Sequence, residues 1–107
     1  MTFDEYQKKA LATALPSAKS LTYTALGLNG EAGEVADKIK KWIRDNNSEE
    51  EKLDKAALAD EIGDILWYLA MMSNMIGYNL GDIAKMNNDK LASRMERGKL
   101  KGSGDTR

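Results

Sequence analysis

The chain has 107 residues, with 16 basic and 17 acidic side chains for a formal net charge of -1, and neither histidine nor cysteine. That length suits one domain with one core, and the balanced charge argues against the basic surface that nucleic acids or anionic membranes select. Without cysteine there is no disulfide scaffold and no thiolate nucleophile; with no basic leader and no apolar run reaching the ~20 residues of a membrane span, a soluble, unprocessed cytoplasmic protein is expected.

Apolar positions recur at helical spacing almost throughout and the single proline is Pro16, which predicts an all-α protein with no strands. Thr2 followed by Glu5 resembles a capping box, Phe3, Tyr6, Ala10 and Leu11 share a stripe, and Pro16 lies past the stop of this first helix. A second helix is expected from about Thr22 to Arg44, with Leu28, Ala32, Val35, Ile39 and Trp42 on one side and Asp37, Lys40, Lys41 and Arg44 largely on the other. Gly27, Asn29 and Gly30 weaken its first turns, a glycine costing ~1 kcal/mol relative to alanine, so something must offset them. The polar run DNNSEEEKLD reads as a connection, with Ser48 and Glu51 as a candidate cap for the third helix. That helix runs to about Ile76 with apolar side chains all around its axis, as a central helix should. Gly77 supplies a stop, Asn79 with Asp82 a restart, and a fourth helix reaches about Arg97. The expected protomer is four-helix bundle-like over residues 1–97, with 98–107 as a flexible tail.

Two acid pairs stand out: Glu31 with Glu34 in NGEAGEVADKIKKW, and Glu61 with Asp64 in DEIGDILWYLA. Residues three apart on a helix are separated by roughly 60 degrees, so each pair occupies one face. A short connection favours antiparallel packing of the two helices, which would bring four carboxylates together. Glycine before the second acid of each pair (Gly33, Gly63) would let a helix or a ligand approach closely. Such acids also occur as a solvated face, and Glu34 with Lys38 could be an ordinary i, i+4 ion pair. Glu61 and Asp64, however, lead straight into an apolar girdle, where unpaired carboxylates are costly and need a cation.

Only oxygen ligands are on offer, which excludes zinc-finger and Glu-x-x-His sites and leaves a hard cation, magnesium or manganese in its place, completed by water and a phosphorylated ligand. Lys38, one turn beyond Glu34, and Lys90 with Arg94, one turn apart on the fourth helix, are candidate phosphate donors; their alternative is a solvated basic stripe. Trp42, Trp67 and Tyr68 could stack on a base or belong to the core.

The ordered segments EAGEVADKIKK, DEIGDILWYLA and NNDKLASR together resemble a MazG-like nucleotide pyrophosphohydrolase of the all-α NTP pyrophosphatase superfamily, over about residues 22–97. The resemblance implies a helical bundle that hydrolyses ribo- or deoxynucleoside triphosphates to monophosphate and pyrophosphate with magnesium. It places metal ligands at Glu31, Glu34, Glu61 and Asp64, phosphate contacts at Lys90 and Arg94 with Asn87 a weaker candidate, and Tyr68 beside the site. It further implies a homodimer or tetramer whose sites draw on more than one chain, with which the apolar third helix agrees. A different class of function is a non-enzymatic helical interaction or oligomerisation module. A nucleic-acid binder using Lys38, Lys40, Lys41 and Arg44 is disfavoured by the balanced charge.

Overall fold

Thr2 starts the first helix as its spacing to Glu5 predicts: its hydroxyl accepts the Glu5 N–H at 3.1 Å while the Glu5 carboxylate accepts the Thr2 N–H at 3.2 Å. The computed structural model describes residues 1–107 and contains α1 (Phe3–Leu11), α2 (Leu21–Asn46), α3 (Lys55–Met75) and α4 (Leu80–Glu96). Short 3-10 turns at Pro16–Ala18 and Glu50–Lys52 interrupt the connections, and there is no strand. The all-α expectation holds. No helix is long and apolar enough to cross a membrane.

Ser20 caps α2 through the Tyr23 N–H, and Asn47 closes the helix in the left-handed region at φ 51. Ser48 is left-handed too, at φ 57, so it cannot be the expected cap of α3, which needs extended backbone. The cap is Asp54, whose carboxylate accepts the Ala57 N–H at 3.0 Å. Between the two, Trp42 donates its indole N–H to the Glu49 carbonyl at 2.8 Å and pins the connection to α2.

Asn79 occupies the N-cap position of α4 but its side chain caps nothing. The orphan N–H groups are satisfied from α1 instead: Gln7 Oε1 accepts from Leu80 at 2.9 Å and Asp4 Oδ1 from Gly81 at 2.8 Å. The buried Gln7 amide also donates to the Ala70 carbonyl at 3.1 Å and to that of Tyr78 at 3.2 Å, so one side chain ties α1 to the end of α3 and the start of α4. Gln7→Leu keeps the volume but strands a buried N–H. It is expected to cost ~2–3 kcal/mol, read as a lower denaturant midpoint at unchanged slope.

Helix α3 is central, packing most extensively on α2 and also on α1 and α4. Its Ala70 and Met71 form the core with Ala10 and Leu80, and Tyr6, Leu11, Leu66 and Trp67 pack around them. Cross-contacts of Lys38 with Glu61 and of Gly27 with Tyr68 show that α2 and α3 run antiparallel. The protomer is open for its size. Its accessible surface is 7703 Å² at 11.8 kDa, against roughly 5,900 Å² for a folded monomer of that mass. Its radius of gyration is 16.8 Å, against about 13 Å for a compact domain of this length. Leu21, Leu26, Ile43, Ile62, Ile76 and Met95 are each more than half exposed.

Candidate active site

Antiparallel packing of α2 on α3 brings Glu31 opposite Glu61 and Asp64, and one carboxylate oxygen from each lies within 4.8 Å of the others. Glu34 is outside that trio, although its charge reaches Glu31. Glu31 and Glu61 are half-buried while Asp64 is exposed, so the cluster sits at the rim of the α2–α3 seam. The Glu31 carboxyl is pushed above its ordinary range, first by burial, then by Glu61, which can share its proton, and by the charges of Asp64, Glu61 and Glu34. The cation closest in contact is Lys38, whose Nζ is 3.6 Å from Glu61 rather than paired with Glu34.

Such a concentration of negative oxygen, with one ammonium at its edge and no imidazole or sulfur, fits a hard divalent cation. The raised Glu31 carboxyl carries a pH signature. A group that holds its proton more tightly when folded costs stability as the pH rises from its ordinary 4.5 through the raised folded value. Glu31→Gln removes that cost. In EDTA this variant is expected to melt above the parent at neutral pH, with the gain vanishing below about pH 4.5. A melting-temperature series across pH checks it.

Beside the acids lies an open cleft of about 370 Å³ lined by Thr13, Glu31, Asp64, Trp67 and Tyr68. Tyr68 reaches it because Gly27 has no side chain: a Cβ there would overlap the tyrosine ring, with Tyr68 Cδ1 at 2.8 Å. Tyr68 also lies against Tyr23, ring centres 6.4 Å apart. Its hydroxyl pKa is raised by burial first and then by Tyr23, with smaller contributions from Glu31 and Asp64. Tyr6 on α1 is raised by burial and by the charge of Asp64, so a third helix borders the acids.

The glycines flagged in the sequence act differently. A Cβ at Gly30, Gly33 or Gly63 would meet nothing within 4 Å, so none of these three serves close helix packing inside the protomer. The close approach is at Gly27. Thr13 escapes sequence reasoning; the helical penalty of Gly27 is legible there, but not the Tyr68 ring that fills the space of its missing side chain.

The α4 candidates sit elsewhere. Asn87 and Lys90 line a separate hollow with Ile83 and Met86. Arg94 is only 4% exposed, which rules out a solvated stripe for it. Its Nη2 donates to the Asp105 carbonyl at 2.8 Å, and the Asp105 carboxylate lies 3.6 Å from Lys90 and 3.7 Å from Arg94. Within the protomer, then, Lys90 and Arg94 are engaged by segment 98–107 and not by the acids. On the outer side of α2, Lys40 and Lys41 pair with Asp37, holding its carboxyl down to about 2, and Arg44 pairs with Asp45.

Comparison with known proteins places this geometry in context. The profile of the MazG nucleotide pyrophosphohydrolase domain matches residues 19–98, which take in both acid-bearing helices and α4. The gene 37 protein of Mycobacterium phage L5 is 39% identical over 114 aligned positions, covering the whole of both chains. The uncharacterized protein YvdC of Bacillus subtilis (strain 168) is 34% identical over 71 positions, 62% of this chain and 67% of its own length. No solved structure gives a significant match. A domain profile spanning most of the sequence, together with a relative aligned from end to end, shows that the chain belongs to the MazG nucleotide pyrophosphohydrolase family.

Proposed function

We propose that the protein is a magnesium-dependent pyrophosphohydrolase that cleaves ribo- or deoxynucleoside triphosphates to the monophosphate and pyrophosphate. The observation that carries this reading is the convergence of Glu31, Glu61 and Asp64 within 4.8 Å in a chain of this family. Those three, with Glu34 alongside, would hold magnesium or manganese, which when bound supplies positive charge against the triphosphate and a more acidic water. Lys38, 39% exposed at the rim of the cluster, can turn from Glu61 to a phosphate oxygen, since at 3.6 Å it makes no short charge-assisted hydrogen bond to that carboxylate. Tyr68, in the wall of the cleft beside Glu31 and Asp64, is a further substrate contact. No protein nucleophile is required, because water can attack the phosphorus directly.

Asn87 and Lys90 would act as phosphate contacts on a neighbouring copy's triphosphate, joined by Arg94 when the triphosphate displaces Asp105 from it, which requires self-association. The excess surface of roughly 1,800 Å² over a compact monomer is more than the ~800 Å² each partner buries in a standard protein interface, and the exposed apolar side chains of α2 and α3 supply its chemistry. Light scattering coupled to gel filtration is expected to give a dimer or tetramer; a monomer at micromolar concentration would contradict this part of the proposal. A cytoplasmic location, where nucleoside triphosphates occur with magnesium, fits the reaction.

The test is a pyrophosphate-release screen over canonical, deoxy and modified nucleoside triphosphates with and without magnesium. Release from at least one substrate, abolished by EDTA, is expected. No release from any of them, alongside tight self-association, would favour the interaction module.

A further inference from the structure

Three aromatic side chains could offer a flat surface to a nucleobase, and packing removes two. Trp42 lines a different hollow, which includes none of Glu31, Glu61 and Asp64. Tyr68 lies over Gly27 and against Tyr23. Trp67 remains, one helical turn beyond Asp64 on α3 and in the wall of the same cleft as Glu31 and Asp64.

The orientation of the Trp67 indole is set from both sides. Tyr68 meets it edge-on, ring centres 5.0 Å apart and planes at 85°. Its N–H donates to the Thr13 hydroxyl at 2.9 Å, and that hydroxyl donates in turn to the Ala10 carbonyl at 2.7 Å. Thr13 lies in the turn after α1, so this relay ties the end of α1 to α3. Both polar hydrogens of the relay are used up, so what Trp67 offers the cleft it shares with Glu31 and Asp64 is ring surface with no spare donor to read a base edge.

We propose that the nucleobase of the substrate stacks on Trp67, and that Thr13 is the positioning residue that holds the indole for it. The inference rests on the pyrophosphohydrolase reading. Recognition through a ring face tolerates any planar base, so this surface contributes affinity for nucleosides as a class. Inorganic tripolyphosphate shares the charged part of the substrate and lacks the base, which isolates the contribution.

The experiment compares KM for dATP, dGTP, dCTP and dTTP with the inhibition constant of tripolyphosphate in the parent and in Trp67→Leu, Trp67→Phe, Thr13→Val and Thr13→Ser. Trp67→Leu is expected to raise KM for the hydrolysed nucleotides ~10-fold or more, with Trp67→Phe retaining most of the affinity. Tripolyphosphate inhibition should stay within about twofold, since it has no base to stack. Thr13→Val should raise KM in the same selective way, and Thr13→Ser should restore it. If nucleotide and tripolyphosphate affinities fall together in Trp67→Leu, or neither changes, the stacking assignment is overturned while the activity stands. A parent protein that hydrolyses none of the four nor any triphosphate of the wider screen overturns the functional reading and the subsite with it.

Discussion

Glu61→Gln is expected to abolish magnesium-dependent pyrophosphate release, by roughly 10³-fold or more, while leaving the helices intact. Glutamine preserves the shape of the side chain and removes its charge, so the effect reports electrostatics at the acid cluster. Glu61 is the hub: it shares the trio with Glu31 and Asp64 and also holds Lys38 at 3.6 Å. Its side chain is only 14% exposed, so water replaces a lost cation contact poorly there. Several kcal/mol of transition-state charge stabilisation depend on the ion, which sets the size of the loss. A second readout separates site damage from unfolding. Magnesium at 100 times its dissociation constant should stabilise the parent by ~2.7 kcal/mol, several degrees in Tm, and this rise should disappear in Glu61→Gln while its metal-free Tm stays close to the parent's. Retained turnover in the variant would remove Glu61 from the site.

Gly27→Ala and Gly30→Ala are expected to change stability in opposite directions although they lie three residues apart on α2. On helix propensity alone each exchange gains ~1 kcal/mol. At Gly30 a Cβ meets nothing within 4 Å, so the gain stands and Tm should rise. At Gly27 the Cβ overlaps Cε1, Cζ and Cδ1 of Tyr68, a ring held between Tyr23 and Trp67, and displacing it costs ~1–3 kcal/mol. That cost matches or exceeds the propensity gain, so Gly27→Ala should lower Tm by up to several degrees. It should also lose most turnover, because Tyr68 is carried away from the cleft it shares with Glu31 and Asp64. In a Tyr68→Ala background the overlap is gone, so Gly27→Ala should there raise Tm instead of lowering it, without recovering activity. Equal Tm changes at the two glycines would refute this account of Gly27.

The residues that sequence alone exposed are those whose partners are close in the chain or whose chemistry is rare. Thr2 and Glu5 close a cap across three residues, and apolar periodicity locates both ends of α2 and the C-terminal end of α3 within two residues. The acids of α2 and α3 were legible as pairs, and their meeting followed from antiparallel packing; that Glu34 stands outside the closest trio depends on the rotation of α2 about its axis, which spacing does not specify. Ser48 carried a cap's identity in a left-handed backbone, and Asp54 took the role six residues later. Asn79 marked the start of α4 correctly, but the groups that cap it, Gln7 and Asp4, lie more than seventy residues away and could not be read locally. Thr13, and the partner that gives Gly27 its purpose, were hidden for the same reason: the Trp67 N–H and the Tyr68 ring belong to α3. Long-range contacts assign those roles, and a single sequence carries no record of them.

A manganese titration followed by the loss of the free ion's paramagnetic resonance tests the central claim most directly, since it reads the ion without requiring the right nucleotide. The parent should take up manganese, magnesium should displace it, and Asp64→Asn should weaken uptake ~10-fold or more. A folded parent that takes up none, or an Asp64→Asn variant that takes it up equally well, would contradict the assignment of Glu31, Glu61 and Asp64 as a metal centre.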